Sequence, residues 1–213
     1  MTTSSTPAIP RSLFLLLAFY GGMVCIAGVL GNKLVGLGPL AVEAGIFAFL
    51  LLVVTSSTVA ELYGRQTANR LVLFGFAPLI MSMLLIETVM LLPAAAAMDG
   101  ARLKAFETVM GQSARLMFAG LIAYGTSQML NVTIFSALRR GTGGMVWLRA
   151  AIASMASQVI DTLLFITISF YGVFPIGGLL LGQMLAKVVL SALLVPLLVS
   201  LMIGIARKLD AKA

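Results

Sequence analysis

Ser127, Gln128, Asn131 and Phe135 have the same spacing as Ser157, Gln158, Asp161 and Phe165, 30 residues further on. Steps of three, four and seven put the amide, the Asn or Asp and the Phe along one stripe of a helix. Both sets sit in long apolar stretches, where a polar group needs a partner. Asp161 is the most demanding of them, because an ionised carboxylate near the middle of an apolar span must be paired, protonated or turned to an aqueous cavity. A structural pairing with Lys187 or a neighbouring amide would satisfy it; so would a place in a transport pathway. Gln128, Asn131 and Gln158 could join helices by interhelical hydrogen bonds of about 0.6 kcal/mol each. Clustered with Asp161, they exceed what helix association needs and point to a shared cavity. Ser57 and Glu61, four residues apart, continue a polar face into a second apolar run; Glu61 could instead pair with Arg65 one turn on. Glu87 and Lys187 are expected nearer the outer ends of their spans, where Lys can snorkel to water and Gln183 lies one turn away.

Catalytic chemistry has little to work with. The chain has no histidine, one cysteine (Cys25), no Gly-x-Ser-x-Gly, no His-Glu-x-x-His and no phosphate loop. The usual zinc sites and an intrachain disulfide are excluded, so no metal, cofactor or enzymatic activity is expected.

The elements that must position these residues are membrane helices. Of 213 residues 61% are hydrophobic and 10% charged, more apolar surface than a water-soluble fold can hide. No charge interrupts the runs between Arg11 and Lys33, Arg115 and Arg139, or Lys187 and Arg207. Six spans fit, at about 12–31, 41–62, 71–93, 115–138, 148–172 and 178–204, each near the length that crosses about 30 Å of hydrocarbon. Gly36, Gly38 and Pro39 break the chain after the first, Gly141, Gly143 and Gly144 after the fourth, and Gly172, Pro175, Gly177 and Gly178 before the sixth. The 94–114 stretch has room for a small amphipathic helix. Ala18, Gly22, Gly28 and Gly31 suit close packing of the first span, or a partner subunit.

The expected architecture is an all-α membrane protein, a six-transmembrane-helix bundle. One transmembrane domain, 12–206, lies between a polar tail at 1–11 and a basic tail at 207–213. The run after Arg11 is read as the first span, not a signal peptide. A cytoplasmic N-terminus puts nine basic residues inside (Arg11, Arg65, Arg70, Arg139, Arg140, Arg149, Arg207, Lys208, Lys212) against Lys33, Arg102, Lys104 and Arg115 outside. That bias favours both termini inside and accounts for the net charge of +7 without nucleic acid. The repeated Ser-Gln motif falls on two oppositely directed spans, which allows a local two-fold axis in the membrane plane, as in inverted-repeat transporters.

With Glu61-Leu62-Tyr63-Gly64, the two Ser-Gln motifs and Phe170-Tyr171-Gly172 in that order, the chain resembles the bacterial queuosine-precursor transporter family, also called the vitamin uptake transporters. The likeness runs from about Asn32 to Phe174. It implies import of 7-deazaguanine bases, the cyano and aminomethyl precursors of queuosine, across the cytoplasmic (inner) membrane. Two positions depart from the family pattern, which has aspartate where this chain has Ser57 and Asn131. For such a cargo, a carboxylate of Asp161 or Glu61 would accept the paired N–H donors of a guanine-like edge. An amide of Gln128 or Gln158 would donate to its carbonyl, and Phe135, Phe165 or Tyr124 would stack on the ring. The implied protein is a self-sufficient secondary transporter. The alternatives are a substrate-capturing membrane subunit of an energy-coupling-factor importer, an intramembrane enzyme, and an assembly protein without ligand. A homodimer or a partner transport subunit is compatible with each.

Overall fold

On the last helix of the chain the polar residues face inward and the apolar ones outward. Leu181, Leu185, Val189, Leu193, Leu197, Leu201 and Ile205 are exposed at four-residue steps, whereas Gln183, Lys187 and Ser191 are buried. A helix in water does the opposite, so the medium around this bundle is apolar. The chain is an all-α, multi-pass membrane protein.

The computed structural model describes residues 10–38, 40–111, 114–139, 145–173 and 175–211. The polar tail before Pro10, Pro39, the Gly141, Gly143 and Gly144 turn with Arg140, Phe174 and Lys212 lie outside the described residues. The elements are α1 (Arg11–Gly31), β1 (Leu34–Leu37), β2 (Leu40–Glu43), α2 (Gly45–Leu91), α3 (Gly100–Met110), α4 (Ala114–Ala137), α5 (Val146–Phe170) and α6 (Gly177–Asp210). By length and composition α1, α2, α5 and α6 suffice to cross a membrane. The similarly long α4 is made less apolar by Ser127, Gln128 and Asn131.

Two expected boundaries change. The second span was expected from residue 41, but β1 and β2 pair as an antiparallel hairpin with Leu34 opposite Glu43 and Val35 opposite Val42. Gly38, at φ +60°, opens its turn, and α2 starts only at Gly45. Nor does a loop separate the second and third spans. The helix runs on to Leu91, interrupted at Gly64 alone, whose φ of 83° and ψ of 164° are open to glycine and strained for other residues. The Thr67 hydroxyl donates to the Tyr63 carbonyl at 2.9 Å, occupying an acceptor the bend would leave without a helical partner.

Contacts with α1 show that the arms of α2 run in opposite directions. Ser12 meets Tyr63 and Gly31 lies against Gly45, so 45–63 is antiparallel to α1. Tyr20 reaches Gly75 and the Cys25 sulfur accepts from the Ser82 hydroxyl at 3.1 Å, so 65–91 runs back alongside α1. Further along, α4, α5 and α6 pack each on the next, and α2 also touches α4 and α6. α3 is a short helix without buried residues, started by the Asp99 carboxylate accepting from the Arg102 amide at 3.0 Å.

Of the small residues of α1, Ala18, Gly22 and Gly28 are exposed, and Gly31 meets a helix closely, 3.3 Å from where a Cβ on Gly45 would stand. The tightest approach is elsewhere: a Cβ on Gly75 would be 2.1 Å from the Tyr124 hydroxyl and 2.7 Å from the Tyr20 ring. That gap lets Tyr124 donate to Tyr20 Oη at 3.0 Å and, in alternative, to the Val72 carbonyl at 3.1 Å.

The start of α1 and the end of α6 meet at the Gly64 end of the bundle. Asp210 accepts from the Ser12 amide at 3.0 Å, the Ser12 hydroxyl at 2.8 Å and the Tyr63 hydroxyl at 2.8 Å. A carboxylate here satisfies a first-turn amide and complements the helix dipole.

Gly75→Ala is expected to cost about 1–3 kcal/mol through overpacking and to lower the unfolding temperature in detergent. Gly22→Ala, with open space around the new Cβ, leaves it unchanged or slightly raised. The Ser12 amide, then the Ser12 and Tyr63 hydroxyls, hold the Asp210 carboxyl below its ordinary pKa. Its contribution to stability is therefore present above the unfolded value of about 3.9 and lost as pH falls through the lowered one. The stability difference between parent and Asp210→Asn should be constant from neutral pH down to about 3.9 and shrink between there and the lowered pKa, measured by pH-dependent unfolding.

Candidate functional site

Between α1, α2, α4, α5 and α6, at the end of the bundle that carries the β-hairpin, lies a cavity of about 240 Å³. Most of its wall is apolar, from residues such as Val24, Ile46, Phe49 and Leu52, and its floor holds Asp161, Lys187, Tyr124 and Phe165. Of the two expectations for Lys187, snorkelling outward and pairing with Asp161, the structure shows the second: Lys187 is 7% exposed, and its ammonium donates to Asp161 Oδ2 at 3.1 Å. Gln183, Lys187 and Ser191 share the inner face of α6, so the side chain starts in the bundle interior, and the nearby acid relieves its desolvation. The other Asp161 oxygen accepts from the Ser127 hydroxyl at 3.2 Å, which joins the two Ser-Gln motifs across α4 and α5. The pair retains capacity, since an ammonium has three donors and a carboxylate about four acceptor positions. Tyr124 stands edge-to-face with Phe76 at 5.0 Å, and Phe165 likewise with Phe170 at 6.5 Å.

Beneath the cavity is a buried polar layer. Asn131 donates to Ser56 at 3.2 Å and Ser57 at 3.1 Å, while Ser56 donates to the Gln128 carbonyl at 3.2 Å. Buried atoms remain without partners among the described residues: Gln128 Nε2, Asn131 Oδ1 and both side-chain ends of Gln158. Gln158 is fully buried on α5, one turn before Asp161. Unmet polar groups of this kind are expected where water or a polar ligand passes.

A second cavity opens towards the Gly64 end, lined by Glu61, Arg65, Phe135, Arg139 and Arg149 among others. Of the two readings open for Glu61, the pairing with Arg65 does not form. Gly64 breaks the helix between them and removes the one-turn relation; Arg65 is exposed and donates to Thr133 Oγ1 at 3.2 Å. Glu61 pairs with Arg149 of α5. Arg149, expected among the flanking basic residues, is 1% exposed, with its guanidinium 4.3 Å from the centre of the Phe135 ring. Twelve residues separate Arg149 from Asp161 on α5, so the two ion pairs stand about 18 Å apart along it.

The candidate residues thus fall into three levels: Asp161, Lys187, Tyr124 and Phe165 at the first cavity, Ser57, Gln128 and Asn131 in the layer below, and Glu61 and Phe135 at the second cavity. Gln158 lines neither cavity, and Glu87 is exposed on α2 away from both. Sequence reasoning missed Arg149, although a cation one turn inside a span is a signal. It also missed Glu43, an acid directly before a span, which lines the first cavity and accepts from Gln183 at 3.3 Å.

Residues 43–201 match a protein-family model described as "Putative vitamin uptake transporter". The "Probable queuosine precursor transporter" of Bacillus subtilis (strain 168) is 32% identical over 117 residues, 54% of this chain and 50% of that protein. The chain therefore spans about half the length of the curated relative it matches. No solved structure matches it at a significant level.

Removing one member of the Asp161–Lys187 pair strands a buried charge, at a typical cost of about 3–5 kcal/mol, whereas replacing both is often nearly neutral. Lys187→Met should lower thermal stability in detergent strongly, and adding Asp161→Asn should restore most of it. Additive losses in the double variant would mean that the two groups do not act as a pair.

Proposed function

The chain belongs to the vitamin uptake transporter family, a transporter and not an enzyme, and from that premise we propose that it imports 7-deazaguanine precursors of queuosine across the bacterial cytoplasmic membrane as a self-sufficient secondary transporter. The observation that carries this reading is the Asp161–Lys187 pair on the floor of a mostly apolar cavity. An acceptor and a donor side by side complement a guanine-like edge, whose N–H groups Asp161 accepts and whose carbonyl takes a hydrogen bond from Lys187. Tyr124 and Phe165 supply ring surfaces for a planar base. The relative's printed name supports the choice of cargo.

Six passes are proposed: α1, the two arms of α2, α4, α5 and α6, with 12–206 as one transmembrane domain between the two tails. Both ends of the chain face the cytoplasm, in keeping with the basic residues at the Gly64 end. The first cavity then opens outward and the second inward. In transit the base leaves Asp161, Lys187 and Phe165, crosses the uncharged layer of Ser57, Gln128, Asn131 and Gln158, and meets Glu61, Arg149 and Phe135 on the inner side.

The test is expression of this chain alone in bacteria that neither make nor import queuosine precursors, with one 7-deazaguanine supplied at low concentration and queuosine assayed in tRNA. The parent should restore queuosine. Asp161→Asn at normal membrane level should reduce uptake by about tenfold or more, the scale of losing a hydrogen bond to a charged group, and Gln158→Ala should reduce it less. A well-expressed parent that restores nothing, yet is thermally stabilised by the base, would assign the chain to substrate capture for a partner subunit. Neither restoration nor stabilisation would sink the proposed cargo.

A further inference from the structure

The first cavity holds two carboxylates, Glu43 and Asp161, and one ammonium, Lys187. Lys187 compensates Asp161 at 3.1 Å. Glu43 forms no ion pair among the described residues. Its side chain accepts a hydrogen bond from Gln183, whose Nε2 donates to Glu43 Oε1 at 3.3 Å. Two negative formal charges against one positive leave the cavity at −1.

Glu43 closes β2 opposite Leu34, with Ala44 between it and α2, so the strand fixes its backbone at the cavity wall, and the side chain is half-buried. Gln183 is 2% exposed, and its Oε1 is a buried acceptor without a donor among the described residues. A charge-bearing acceptor at the cavity wall, without a cation beside it among the described residues, is the complement of a group with several N–H donors and a positive charge. A neutral group would desolvate Glu43 and return nothing to it.

We propose that Glu43, held by Gln183, forms an ammonium subsite in the first cavity, and that this subsite makes the chain select a 7-deazaguanine carrying a protonated aminomethyl arm over one carrying a nitrile. The inference rests on the proposed function and adds a second anchor to it. Asp161 and Lys187 read the guanine-like edge, common to both bases; Glu43 reads the arm by which they differ. Glu43 touches the cargo, and Gln183 acts through it as a positioning residue.

Thermal stabilisation of the purified full chain in detergent at neutral pH, titrated separately with the aminomethyl and the cyano base, tests this, with uptake into proteoliposomes as a second readout. The parent should respond to the aminomethyl base at about tenfold lower concentration, a difference of about 1.4 kcal/mol. Glu43→Gln should lose that advantage through a weaker response to the aminomethyl base, while its response to the cyano base is retained or strengthened because no charge is desolvated, which also reports that the variant is folded. Glu43→Asp, which keeps the charge, should retain a preference for the amine. Equal response of the parent to both bases, a preference for the nitrile, or an equal loss for both in Glu43→Gln would overturn the subsite and leave the transport reading standing. No response of the parent to either base would overturn the transport reading itself, and the subsite with it.

Discussion

A charged side chain surrounded by hydrocarbon is stable only beside its opposite, and in both ion pairs among the described residues the opposite comes from another helix. Asp161 of α5 is held by Lys187 of α6 and by Ser127 of α4; Glu61 of α2 is held by Arg149 of α5. Each pair therefore sets how neighbouring helices face one another. Because desolvation nearly offsets the attraction within such a pair, its main effect is on arrangement: the helices can rotate little without stranding a charge. Both pairs also end cavities, at levels about 18 Å apart along α5.

Between the pairs the polar groups are neutral. Ser57 and Asn131 stand where the family pattern that the sequence resembles has aspartates, and here Asn131 simply donates to Ser56 and Ser57. An uncharged layer avoids the cost of two further buried acids. Its unmet amide atoms on Gln128 and Gln158 still offer a polar path to a planar cargo. In the proposed transport cycle, charge acts at the two ends and hydrogen bonding in the middle.

Gly64 makes this arrangement possible. One residue with positive φ turns a 47-residue helix into two antiparallel arms, and the same break takes Arg65 away from Glu61, leaving that acid to Arg149. At this end Asp210 ties the start of α1 to the end of α6 and to Tyr63. The β-hairpin at the opposite end brings Glu43 to the first cavity.

The sequence by itself determined the class of the molecule, because charge-free runs of membrane-spanning length have no other stable use, and it singled out Asp161, since any acid in such a run needs a partner. The shared stripe of Gln, Asn or Asp and Phe was legible too, for neighbours three and four apart on one helix follow from helical geometry alone. Which cation meets which acid was legible only as alternatives. For Asp161 the sequence left Lys187 or a neighbouring amide open, and for Glu61 the nearest cation along the chain is Arg65; packing of α5 against α6 selected Lys187, and a bend at one glycine took Arg65 away. Partners in a low-dielectric interior are chosen by which helix faces meet and at what depth. Only the tertiary structure decides that, because spacing along the chain carries no information about contacts between helices.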